Sequence, residues 1–194
     1  MRRRGLLFAV LFLGLCPFAL PQSLSVSVSA GGFFPKDGNY GDIYGTGLPL
    51  EFEARLGVFG NFGLAAGVSY LRQTGSAANV DQGPDSYPVD FRMVSFPVSA
   101  CLLVPLGGTA ALFGGAGLSV HSFKETWENV TLEHTGSTTN PFVYAGLEYG
   151  FLNRVAGRLT VRYETINAGA NPFQVDEVNL GGLTVLVGVS ARLF

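Results

Sequence analysis

The residue types richest in chemistry are Ser119 and His121, separated by Val120. Side chains two apart on a strand share a face, so a hydroxyl and an imidazole at this spacing come within reach of each other. That is the pairing of a nucleophile with its general base, and Glu148 or Glu164 would orient the imidazole. A strand pointing polar side chains into a polar interior shows the same pattern. No catalytic residue is therefore assigned, and Ser119 and His121 stand as remote candidates. Metal ligands are sparse: His121, His134 and Cys101 lie on separate segments, so no metal site and no cofactor is expected. Gly41 to Gly47 lacks the spacing of a phosphate-binding loop. The acidic residues Asp81, Asp85, Glu125, Glu128, Asp176 and Glu177 would bind calcium, bridge divalent ions to a neighbouring anion or, more plainly, solvate loops.

Eight further charges share one property. Glu51, Glu53, Arg55, Glu148, Arg158, Arg162, Glu164 and Arg192 all fall on the polar face of segments that alternate with period two. Leu50, Phe52, Ala54 and Leu56 alternate with Glu51, Glu53 and Arg55; Leu159, Val161 and Tyr163 alternate with Arg158, Thr160 and Arg162. The same alternation runs through Leu24–Ala30, Leu64–Tyr70, Val94–Leu102, Leu112–Val120, Val143–Tyr149 and Leu183–Leu193, with Pro97 predicting a bulge. These are eight strands of about ten residues, the length that crosses a bilayer when tilted.

The connections sort by length. Short ones lie at Gly60-Asn61, Pro105 to Gly108 and Leu152 to Val155; long polar ones lie at Pro35 to Pro49, Gln73 to Pro88, Lys124 to Asn140 and Asn167 to Val178. The pattern predicts an all-β fold, an eight-stranded antiparallel up-and-down transmembrane β-barrel with its long loops outside the cell. Such a barrel pairs every backbone group and leaves no edge. An arginine facing lipid at the midplane costs about 2–4 kcal/mol, so the eight charges must point inward as a lumen charge network. Four carboxylates facing four arginines fill a narrow barrel as a plugged core, or form a gate whose pairs exchange.

Composition agrees with export to a membrane. The 194 residues are 47% hydrophobic and only 13% charged, with 27 glycines and a net charge of −2. That excludes a disordered chain and leaves no basic field for nucleic acid. Met1-Arg2-Arg3-Arg4 followed by an apolar run to Leu20 has the layout of a cleavable signal peptide, giving residues 1–22 as signal and 23–194 as the barrel domain. The aromatics Tyr40, Tyr44, Tyr70, Tyr87, Phe91, Phe123, Trp127 and Phe142 sit near the long-loop ends and read as a girdle at the membrane boundary.

On these features the chain resembles the small eight-stranded outer-membrane β-barrel proteins, a porin-like group that includes the OmpA transmembrane domain and OmpW. The carriers are the basic-then-apolar start, Ser95-Phe96-Pro97-Val98-Ser99, Gly114-Gly115-Ala116-Gly117, Tyr144 to Tyr149, Arg158 to Tyr163 and the terminal Phe194. The resemblance implies the bacterial outer membrane, with lipid and lipopolysaccharide as surroundings. It further implies insertion by the barrel assembly machinery through the C-terminal strand, and a monomer. A structural or surface-interaction role without enzymatic activity is the expectation; a narrow OmpW-like channel for small solutes is the alternative. Ser119 and His121 also resemble, in reversed order, the His-x-Ser pair of lipid A deacylases, which gives a lipid A-modifying enzyme as the remote third reading.

Overall fold

The computed structural model describes residues 23–78, 86–127, 132–168 and 178–194, and the signal segment 1–22 lies outside them. In chain order the elements are β1 (Ser23–Pro35), α1 (Gly38–Tyr44), β2 (Leu50–Phe59), β3 (Phe62–Ala78), β4 (Ser86–Gly107) and β5 (Ala110–Trp127). There follow β6 (Leu132–Leu152), β7 (Val155–Glu164), the two-residue β8 (Asn167–Ala168) and β9 (Val178–Asn179), and β10 (Gly182–Arg192). Eight of them close a ring in the order β1-β10-β7-β6-β5-β4-β3-β2, with every neighbour antiparallel. Closure is made by β1 and β10, paired from Ser25 opposite Arg192 to Pro35 opposite Gly182. The up-and-down barrel expected from alternation is the fold observed.

Alternation places the side chains. On β1, Ser27 and Ser29 are buried while Val28 is 61% exposed; on β10, Thr184 and Leu186 are buried while Val187 is 65% exposed. Apolar side chains this exposed, on every strand of a closed ring, belong in lipid rather than water. The outward apolar run extends from Phe62 to Tyr70 on β3 and from Val94 to Val104 on β4, each long enough to span the bilayer at about 9–11 tilted residues. At one rim the strands turn tightly; Gly60, Gly107 and Gly108 adopt positive φ there, a conformation that glycine enters without strain.

Four expectations need correction. The stretches Gln73–Pro88 and Lys124–Asn140 are mostly strand: β3, β4, β5 and β6 continue to Ala78, Ser86, Trp127 and Leu132 and stay paired throughout. These strands run 17 to 22 residues, against 10 to 13 for the other four, so one wall of the barrel stands taller. Beyond the apolar band the outer face of that wall turns mostly polar, with Arg72, Thr74, Asp90, Arg92, Lys124 and Thr126, so the apolar alternation ends while the hydrogen-bonded ladder continues. The first long loop holds a helix, α1. Asp37 caps it, accepting from the N–H groups of Asn39 at 2.9 Å and Tyr40 at 3.2 Å, and Gly45 ends it with φ +63°.

Pro97 makes no bulge. The register between β3 and β4 is the same at Ala66 opposite Val98 as at Ser69 opposite Ser95, and Pro97 faces Ser119 on β5 without a shift. Its ring points into the lumen, and the cost is confined to the ladder bond its nitrogen cannot donate. Finally, most of the presumed girdle is internal. Tyr40, Tyr44, Phe91, Phe123 and Phe142 are buried, whereas Tyr70 alone among those eight aromatics is an exposed side chain of the outer face.

Candidate functional site

Inward-facing residues of β2, β6 and β7 carry the lumen charges to one level. Glu53 accepts from Arg158 Nη1 at 2.6 Å and from Arg55 Nη2 at 3.5 Å. Arg55 in turn makes a 3.1 Å ion pair with Glu148, giving the chain Arg158–Glu53–Arg55–Glu148. Arg158 also donates to Ser27 at 2.9 Å and to Thr160 at 3.1 Å. One layer nearer the long-loop rim, Arg162 donates to Glu51, and both side chains are 6% exposed. Glu164 faces His121, with Oε2 3.6 Å from Nε2. Seven of the eight charges read from the sequence are therefore brought together.

Arg192 is not. It lies exposed at the short-turn rim, and its backbone N–H bonds the Arg154 carbonyl at 2.8 Å. It faces inward by alternation, but Gly188 on the same strand is the residue level with Arg158, and four residues further along a strand is about 13 Å away. The lumen consequently holds four carboxylates against three guanidiniums.

Aromatic rings complete this layer. The guanidinium carbons of Arg55 and Arg158 lie 4.7 and 4.3 Å from the Phe113 ring centroid, and that of Arg162 lies 5.5 Å from Phe142. Such contacts stabilise a desolvated cation by roughly 0.5–2 kcal/mol. Gly146, directly opposite Phe113, leaves the space its ring fills. The cavity left among Glu51, Glu53, Phe142, Tyr144, Thr160 and Arg162 measures about 10 Å³, room for one water at most.

Ser119 and His121 are both fully buried in the lumen. They do not bond each other. His121 Nδ1 pairs instead with Ser95 Oγ at 2.8 Å, because Ser95 stands directly opposite His121 across β4 and β5. Ser119 Oγ has no hydrogen-bond partner among the described residues. The Ser95–His121–Glu164 series has the residue types of a triad, and its members are only 5, 0 and 6% exposed.

Above the charges sits an apolar layer. Tyr40 and Tyr44 of α1 insert into the barrel mouth against Phe33, Leu71, Phe91, Phe123 and Ile166. Tyr40 and Phe91 meet edge to face at 5.5 Å, and Phe91 stacks on Phe123 at 6.3 Å. Gln73 latches the helix: it accepts from Tyr40 Oη at 2.5 Å and donates to the Gly45 carbonyl at 3.2 Å. Burial, followed by the charge of Glu125, holds the Tyr40 and Tyr44 hydroxyls well above the usual tyrosine range. Glu125 accepts from Trp127 Nε1 at 2.7 Å; Asp81, Asp85, Glu128, Asp176 and Glu177 lie outside the described residues. No cluster of three metal-ligating side chains occurs among the described residues. Sequence reasoning missed the part played by Phe113 and Tyr144, although their even spacing from Ser119 and Glu148 puts them on the inward face.

Comparison with known proteins agrees with this architecture. Among curated proteins none matches the sequence. Solved structures share the fold, three of them as follows. Neisserial surface protein A is 18% identical, with 87% of this chain and 96% of that one aligned at a TM-score of 0.62. OprG from Pseudomonas aeruginosa is 11% identical over 90% and 97% of the two chains, at 0.67. Ail of Yersinia pestis, solved with the heparin analogue sucrose octasulfate, is 14% identical over 88% and 97%, at 0.53. The family described as the outer membrane protein beta-barrel domain matches residues 7–192, and to that family of bacterial outer-membrane proteins this chain belongs.

Proposed function

We propose that this barrel is a closed scaffold with a structural or surface-interaction role in the cell envelope, acting without enzymatic chemistry. The observation that carries this reading is the filled lumen. A layer of paired charges around Glu51 and Arg162 and an apolar layer around Tyr40 and Phe91 lie one above the other. The surface left for interaction is thereby the long-loop end, on α1 and the tall wall of β3 to β6. Lipid A modification is disfavoured because Ser119 and His121 face the lumen and are sealed from acyl chains.

The test is solute uptake by liposomes containing the refolded chain. In an isotonic solution of a small neutral sugar they should swell no faster than protein-free liposomes. Swelling that falls with sugar size would overturn the closed scaffold. It would favour the narrow-channel reading, for which the polar void beside Glu51 and Arg162 is the one supporting feature.

A further inference from the structure

The outer face of the tall wall carries a row of cations that neither the lumen nor the loops account for. Arg72 on β3 stands directly opposite Arg92 on β4, and Arg92 directly opposite Lys124 on β5. Directly opposed side chains have Cβ atoms about 4.5–5.5 Å apart, and like charges at that distance destabilise a sheet. All three point away from the lumen, and their side chains are 54, 52 and 48% exposed. After residue 22 the sequence has only nine Lys and Arg, so a third of them stand in this row.

The row has a built geometry. Asp90 accepts from Arg72 Nε at 3.2 Å and Nη2 at 3.1 Å, and from Arg92 Nε at 3.2 Å and Nη2 at 2.7 Å. One carboxylate thus clamps two guanidiniums side by side through Nε and Nη2, with no bond from either Nη1 among the described residues and one positive charge in excess. Lys124 pairs with Glu133 at 2.7 Å, an exposed pair that contributes little and exchanges readily for a stronger anion. The height is the remaining clue. One outward position below the row are Tyr70, Val94 and Ser122, and below them Val68, Phe96 and Val120 of the apolar band. The row therefore stands where lipid headgroups of the outer leaflet begin.

We infer that Arg72, Arg92 and Lys124 form a docking surface for the phosphate groups of a phosphorylated outer-leaflet glycolipid, with Asp90 holding the two guanidiniums in a fixed fork. Guanidinium forks match phosphate oxygens bidentately, and prior clamping reduces the ordering cost of binding. The inference is independent of whether the lumen conducts.

The experiment uses the full chain, refolded in uncharged detergent and titrated with diphosphorylated lipid A, with bound lipid counted by native mass spectrometry. The R72Q/R92Q/K124Q variant should bind about tenfold more weakly or worse, the loss expected for charge-assisted hydrogen bonds. Dephosphorylated lipid A should bind wild type and variant alike. Lys36→Gln, at the end of β1 and away from the row, should bind as wild type does. Equal binding of phosphorylated lipid by wild type and triple variant would overturn the inference. So would an equal loss in Lys36→Gln, which would reveal a nonspecific charge effect. Displacement by equimolar inorganic phosphate would also overturn it, because the site would then take free phosphate rather than the lipid. Heat-modifiable migration checks that each variant keeps its barrel; Arg92→Gln alone, at the middle of the row, gives a second test if the triple variant does not fold.

Discussion

A guanidinium inside a barrel wall is tolerated only in company. Arg162 is 6% exposed and bonds Glu51 across the lumen, so removing the carboxylate leaves a buried charge without its partner. Glu51→Gln should therefore lower the unfolding free energy by about 3–5 kcal/mol, whereas Glu51→Gln with Arg162→Met should recover most of it. Urea unfolding in phospholipid vesicles, followed through the single tryptophan, measures both. At this scale the charges were legible in the sequence, because a charged residue on an alternating strand has only the lumen to face. Their partners were less so. Phe113 is on the inward face but apolar, so nothing in its type signals that Arg55 and Arg158 lie over it. Arg192 fits the same alternation as Arg158, and only the register with β7 shows that it lies at the rim.

The element that shapes the barrel mouth is α1. Seven residues make a weak helix alone, and what holds this one is the seating of Tyr40 and Tyr44 among the wall aromatics, with Gln73 bonded to both ends. Burial raises both hydroxyls above the usual tyrosine range. The sign of the effect follows directly. A raised folded-state value means the stabilisation is complete below the ordinary tyrosine value of about 10 and is lost as pH climbs towards the folded value. Wild type should lose stability above about pH 10, and Tyr40→Phe with Tyr44→Phe should flatten that loss. Unfolding midpoints across the alkaline range, with tyrosinate absorbance recorded alongside, check it. The helix was hidden in the sequence because its caps, Asp37 and Gly45, sit in a stretch rich in turn residues. The tall wall was hidden for a different reason: over residues 73–76 and 88–92 the outer face shows no apolar alternation, although these segments remain paired.

As a whole, the molecule is a cylinder filled in two chemically different layers. Paired charges occupy the level of the bilayer, and aromatic side chains occupy the mouth above it. Eight strands give an interior only wide enough for side chains, and on the proposed reading the two layers close it. The outward apolar band and the shared family place it in the outer membrane. Alternation led to the expectation of ring closure and of inward charges, but not of the aromatic layer above them or of Arg192 at the rim, and the cause is simple: period two sorts residues by face but not by height. The most direct test of the closed cylinder is single-channel conductance of the refolded protein in planar bilayers, beside an Arg162→Ala variant. The wild type should insert, remain heat-modifiable and pass no discrete current. Discrete openings in the wild type, altered in size or frequency by Arg162→Ala, would contradict the account and make the lumen charges a conducting path.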